Sequence, residues 1–279
     1  MRNLYRAVVA GALATGLLLG ACSPSEDQNA GSDPTTSASP GTASNTATTP
    51  AEPTPAPRAG RCYRLSFDEA VSPESEVAPV GCAKKHTAQT FHVGTLDLLQ
   101  DGHLLAVDSR RAREQVTSVC RDRLRRHVGG DVRLSMLAAV WFTPDHAAAD
   151  TGADWFRCDV VALAGDDTLA QLPRRSAGLL TGDGANAWAM CGTAAPGTRG
   201  FRRVPCSARH TWRALRAVEL SGSDYPDGKA VAAAMATPCR DAARDVAADP
   251  LDVEWSEEAP TKQQWRSGRR YGLCWAPAG

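Results

Sequence analysis

Two short stretches of this chain hold the residue types from which chemistry is made. They are Val80-Gly81-Cys82-Ala83-Lys84-Lys85-His86-Thr87 and Val204-Pro205-Cys206-Ser207-Ala208-Arg209-His210-Thr211. Each reads Val, any residue, Cys, three residues, then His-Thr, and a Leu (Leu96, Leu220) stands ten residues past each His. A histidine close to a cysteine can be a general base, a metal ligand or a pH-responsive contact. Neither stretch brings an obvious nucleophile or acid partner, so the simpler role for His86 and His210 is structural. In that role the imidazole hydrogen-bonds backbone near the turn after the cysteine and holds the next strand. Two copies packed face to face could instead bring both histidines to one metal ion. The chain has no GxSxG, no HExxH, no SxxK paired with a KTG element and no phosphate-cradling glycine loop. The expectation is therefore a protein that is not an enzyme and needs neither metal nor cofactor.

Recurrence of the stretch marks a tandem repeat, and the cysteines follow it. Apart from Cys22 there are eight of the nine: Cys62, Cys82, Cys120 and Cys158, then Cys191, Cys206, Cys239 and Cys274. An even set in an exported protein reads as a disulfide framework, because no reducing system operates outside the cytoplasm. Four cysteines allow three pairings, and sequence does not choose among them. Pairing first with second and third with fourth closes the most local loops and is favoured here. A zinc site would want a CxxC pair, which the chain lacks.

The elements that must position these residues can be read in order. Cys62-Tyr63-Arg64-Leu65 opens a short apolar segment, and a mostly polar loop, Asp68 to Glu76, leads back to Val80. Phe91 to Leu96 alternates as a half-buried strand does. A helix follows, capped by Asp108 or Ser109, with Ala112, Val116, Val119, Cys120, Leu124 and Val128 as its apolar stripe and Gly129-Gly130 as its end. Leu134 to Phe142 alternates again. After a loop to Gly152, Trp155 to Leu163 forms a last strand, with Phe156, Cys158 and Val160 on one face. In the second repeat Val231, Met235, Cys239 and Ala243 keep the helical stripe at the same offsets from cysteine. Pro238 interrupts it and predicts a kink, or a restart with Thr237 as N-cap. Pro144 and Pro260, Gly152 and Gly268, and Trp155 and Tyr271 match in their distance from the fourth cysteine, whereas Trp265 faces Ala149. The expected fold is α+β: two tandem homologous modules, each a small antiparallel sheet with one helix, stapled by disulfides.

The N-terminus gives an address. Arg2 and Arg6 precede an apolar run, Ala7 to Leu19, and then Leu19-Gly20-Ala21-Cys22. That is a secretory signal ending in a lipobox, too short to span a bilayer, and it predicts lipid attachment at Cys22. Residues 1–21 are then the signal and 22–58 the lipidated cysteine with a Ser/Thr/Pro-rich tether, which has too few large apolar residues to fold. The modules occupy 59–164 and 186–279, joined by a Gly-rich linker at 165–185. With 31 basic and 31 acidic side chains the chain is near neutral, which argues against a nucleic-acid partner.

With these residues laid out, the chain resembles the septum-formation domain family of actinobacterial envelope proteins. The resemblance rests on Cys82/His86 and Cys206/His210, on the helix cysteines Cys120 and Cys239, and on the ending Pro260, Trp265, Gly268, Cys274. The family pattern prefers Glu three residues after the His, where Gln89 and Arg213 stand here. The resemblance implies a secreted or membrane-tethered protein linked to division septa, with no established activity. The expected function is a non-catalytic lipoprotein on the extracytoplasmic face of the cell membrane. It would bind or scaffold envelope or division proteins, or cell-wall glycan. One alternative is a cell-wall hydrolase or metal enzyme using His86 or His210; the other is an extracytoplasmic small-ligand sensor. Among seven tryptophans, Trp212 and Trp265 have no aromatic counterpart in the first repeat and are the candidates for contact with a partner.

Overall fold

A computed structural model describes residues 52–279. The signal, Cys22 and most of the tether lie outside the described residues; the tether's last part, 52–58, has no regular structure and is mostly exposed. No helix among the described residues is long and apolar enough to cross a membrane.

The first half contains β1 (Cys62–Tyr63), α1 (Phe67–Val71), β2 (Ala88–Thr95), β3 (Leu99–Gln100), β4 (His103–Leu104), α2 (Arg110–Val128), β5 (Leu137–Phe142), α3 (His146–Asp150), β6 (Trp155–Leu163) and β7 (Leu169–Ala170). Its antiparallel sheet runs β1-β2-β6-β5, with β7 pairing the end of β6. Helix α2 starts where its caps dictate: the Ser109 side chain accepts from the Ala112 N–H, and Gly129, left-handed at φ 78°, ends it. Its buried stripe is Ala112, Val116, Cys120, Leu124 and Val128. These pack on Phe156, Cys158 and Val160, the face of β6 expected from alternation.

Two local expectations need correction. The polar loop after Cys62 contains α1, because Ser66 and Glu69 close a reciprocal capping box that offsets the cost of starting a short helix. The strand expected from Leu134 begins only at Leu137, since Val132–Leu134 forms a 3-10 turn capped by Asp131. The joining stretch 165–185 packs on the first half: β7 extends the first sheet, Leu172 is buried, and the Leu180 N–H donates to the Val128 carbonyl.

The second half contains α4 (Ala185–Trp188), β8 (Met190–Gly192), β9 (Arg203–Pro205), β10 (Trp212–Glu219), α5 (Gly228–Arg244), β11 (Ser256–Glu258), α6 (Lys262–Arg266) and β12 (Tyr271–Pro277). Its antiparallel sheet runs β11-β12-β10-β8-β9. Both sheets thus place the first-cysteine strand beside the strand after His-Thr, and that beside the fourth-cysteine strand. Even the irregularities coincide: β2 shifts register between Thr90 and His92, and β10 between Ala214 and Arg216, four to six residues past each His. Helix α5 starts at Asp227, which caps the Ala230 N–H, and runs unbroken through Pro238. Thr237 is therefore helical and not a cap. The hydrogen bond that proline cannot give would go to Ala234, an exposed residue whose carbonyl can turn to water.

Disulfides pin each helix to its sheet. Cys120 joins Cys158 and Cys239 joins Cys274, while Cys62–Cys82 and Cys191–Cys206 close the shorter loops. Helix α5 lies so close to β12 that a Cβ built on Gly272 would fall 2.3 Å from the Met235 sulfur. The far face of the second sheet (Trp212, Ala214, Leu273, Trp275) is covered by Met136 with Leu134 and Leu163 of the first half. The Met136 N–H donates to the Trp188 carbonyl at 2.9 Å. Arg133 fastens the same seam, bonding both oxygens of Asp131 on its own side and Glu219 on the other.

Candidate functional site

The two His-containing stretches fold into the same tied loop, and each bond in it follows from the residue types. Val80 donates its N–H to the Cys62 carbonyl at 2.7 Å, which brings Cys82 to Cys62; in the second half Val204 pairs with Cys191 on β8 and β9. A turn follows each second cysteine: Lys84 N–H to Gly81 O, and Ala208 N–H to Pro205 O, both 2.8 Å. The imidazole then closes on the end of that turn. His86 Nδ1 lies 2.8 Å from Lys84 O, and His210 Nδ1 lies 2.7 Å from Ala208 O. A carbonyl can only accept, so Nδ1 carries the proton in both rings. Each threonine bonds the first-cysteine strand: Thr87 N–H to Tyr63 O and Thr211 N–H to Gly192 O, both 2.9 Å. Their hydroxyls add Thr87 Oγ1 to Leu65 O and Thr211 Oγ1 to Thr193 O.

The surroundings of the two rings differ. His86 is 1% exposed, its Nε2 has no hydrogen-bond partner among the described residues, and its backbone carbonyl accepts from the Leu172 N–H. His210 is half-buried and lines a cavity of about 700 Å³ between the halves, with Asp131, Asn186 and Arg213 as its other polar walls. The residues at the position three past each His also diverge. Gln89 Oε1 accepts from the N–H and hydroxyl of Ser176, and its Nε2 points at both sulfurs of Cys62–Cys82 and at Arg174 O. An amide suits that site, since a carboxylate would set a second oxygen against sulfur and a carbonyl. Arg213 donates to Asn186 at the cavity wall.

Metal binding finds little to work with. Among the described residues the one group of three or more side chains within metal reach is Cys191, Cys206 and His210, and it excludes His86. Both of its sulfurs are in a disulfide and offer no thiolate. Trp212 and Trp265 do not serve as exposed contact aromatics. They are 8% and 2% exposed, Trp212 packing in the seam cluster and Trp265 against Val231, Met235 and Cys239. The reason lies in α6, whose capping box, Thr261 with Gln264, turns Trp265 inward, where its indole N–H donates to Ser223 O.

Sequence reading missed a buried charged pair on the other face of β6. Arg157 and Asp159 are 4% and 0% exposed. The Arg157 guanidinium lies between the rings of Tyr63 and Phe142, 3.9 and 4.3 Å from their centres. Its Nε is 3.3 Å from Asp159 Oδ2 but is misaligned, so neither atom makes a hydrogen bond among the described residues. Thr90 donates to Asp159 Oδ1 at 2.7 Å. Burial pushes the Asp159 carboxyl up to about 6, against the pull of Arg157 and Thr90. Two charges alternating with Phe156, Cys158 and Val160 look like a solvent face, and it is the packing of Tyr63, Phe142 and Thr90 against them that makes them interior.

A family model described as septum formation matches residues 59–274. No curated protein and no solved structure matches the chain.

Proposed function

From a chain that belongs to the septum-formation family, we propose a lipid-anchored surface protein, carrying two copies of the family's domain, that acts as a binding or scaffolding module of the cell envelope at the division septum. The observation that carries this reading is the extent of the family match, residues 59–274, nearly all of the described chain. The two-copy reading is supported by the equivalent bonds of the two His-Thr loops, the equivalent disulfides and the shared strand order. The non-catalytic role is supported by the use of both histidines as turn ties: a ring committed through Nδ1 to its own backbone is already engaged in holding the loop. The lipobox ending at Cys22 supports the anchor and the extracytoplasmic placement.

The test is the position of a fluorescent fusion that keeps Cys22, in growing cells, beside the same fusion with Cys22→Ala. Septal enrichment that is lost on release from the membrane is the expected outcome; an even envelope distribution overturns the septal placement. A companion measurement separates scaffold from enzyme. His86→Ala should cost about 2–4 kcal/mol of stability by leaving a cavity and an unpaired carbonyl, and the half-exposed His210→Ala about 1 kcal/mol. Wild-type denaturation midpoints in both variants, with loss of function in cells, would point to chemistry at the rings.

A further inference from the structure

Helix α2 concentrates charge in a protein that has none to spare. It carries seven arginines against two acids, while the whole chain has a formal net charge of zero. Arg110, Arg113, Arg121 and Arg125 stand at i, i+3, i+11 and i+15, which places them on one face. That face looks onto the Ser267–Arg270 turn of the second half: the Arg121 guanidinium comes within 3.7 Å of where a Cβ on Gly268 would sit. Arg121 is common to three adjoining cavities of about 490, 690 and 470 Å³, which together make one groove along the helix. The helix is about 28 Å long at 1.5 Å per residue, so the groove suits an extended ligand better than a compact one.

The local electrostatics work against the helix itself. Arg110 and Arg113 sit in and next to a first turn without any acid, at the positive end of the helix dipole. Arg121 and Arg125 are a like-charge pair four residues apart. Among the described residues Arg113, Arg121, Arg125 and Arg266 make no ion pair; of the groove's acids, Glu114, Asp131 and Glu219 are already engaged by Arg110 and Arg133, which leaves Asp122 against that excess of arginine. Arg269 reaches the groove from β12's side, paired with Glu258 at 3.8 Å. Repelling groups kept together without internal partners are what a fold carries for a ligand.

We propose that this groove binds an extended polysaccharide carrying phosphate or carboxylate groups. Arg113, Arg121 and Arg125 take the anions, as guanidinium forks do, and the sugar rings lie on the half-buried Trp141 of the central cavity. An acidic protein partner fits less well, because the flanking cavities are lined almost wholly by charged and small polar residues and offer no apolar pocket for an anchoring side chain. The proposal deepens the binding-module reading and rests on it for the choice of a glycan; it is tested in vitro, apart from septal placement in cells.

The experiment measures binding of the full folded chain to polygalacturonate and to a phosphomannan, with neutral dextran and poly-L-glutamate alongside. The expected result is binding to at least one anionic glycan and none to dextran, with affinity falling steeply from about 50 to about 200 mM salt. Arg121→Glu/Arg125→Glu should weaken it about tenfold or more, and Arg121→Gln/Arg125→Gln less. Arg199→Glu/Arg202→Glu, exposed and away from the groove, makes the same change in net charge and should leave binding within about twofold. Melting temperatures matching wild type establish that the variants fold. Failure to bind either glycan, equal loss in the control pair, or tighter binding to poly-L-glutamate overturns the proposal.

Discussion

Asp159 shows how far a single residue's behaviour depends on what folds over it. Its folded carboxyl titrates near 6 because burial disfavours the anion, against an ordinary 3.8. The folded state therefore holds this proton more tightly than the unfolded chain does. The stabilisation is fully present below about pH 4 and is lost as pH rises through about 6, a change of up to about 3 kcal/mol. Asp159→Asn, which cannot titrate, should remove that decline. Urea melts of the wild type and the variant at about pH 4 and about pH 7 check it: the stability difference between them should shift by that amount in the variant's favour at the higher pH. An unchanged difference would mean that Asp159 is hydrated in solution. Nothing in the sequence Phe156-Arg157-Cys158-Asp159-Val160 separates this interior pair from an exposed one; the contacts of Arg157 with Tyr63 and Phe142 do.

At the scale of the element, periodicity and caps were informative wherever the local signal met no rival. Ser109 and Gly129 bound α2, and the stripe around Cys120 is buried as its spacing requires. Two outcomes at this scale have local causes. The capping box at Ser66 and Glu69 was present in the sequence as Ser-x-x-Glu, though the polar stretch around it reads as loop. Of the two outcomes expected at Pro238, a kink or a restart, the restart does not occur: Val231, Met235, Cys239 and Ala243 bury one continuous face, and the Cys239–Cys274 bond holds it to β12. Packing thus outweighs one lost hydrogen bond. Pro238→Ala restores the donor to Ala234, and a gain of about 1–3 kcal/mol is expected in denaturant unfolding of the oxidised protein. A loss would mean that the helix needs the proline's bend to meet its sheet.

At the scale of the whole molecule, the halves are coupled through Met136, 3% exposed, with Leu134 and Leu163 against Trp212, Leu273 and Trp275. Neither sheet could bury that face alone. The described chain should then unfold in one calorimetric transition, with agreement between calorimetric and van't Hoff enthalpies. Met136→Asp, which puts an unpaired charge into the seam, should cost about 3 kcal/mol or more and let two transitions separate. Two transitions in the wild type would show that the halves fold independently and that the seam adds little.

The sequence by itself determined the features set by short range: the two His-Thr stretches, the α+β class, and the helices α2 and α5 with their buried stripes. Each depends on neighbours a few residues away, so its signal is contained in a window of the chain. Tertiary structure decided the rest. It buried Arg157 and Asp159 against Tyr63, Phe142 and Thr90, turned Trp212 and Trp265 inward, and left His86 covered while His210 opens on a cavity. It also set the arginines of α2 against the turn before β12. Those outcomes depend on which surface comes to lie against which, and residues far apart in sequence supply the two sides.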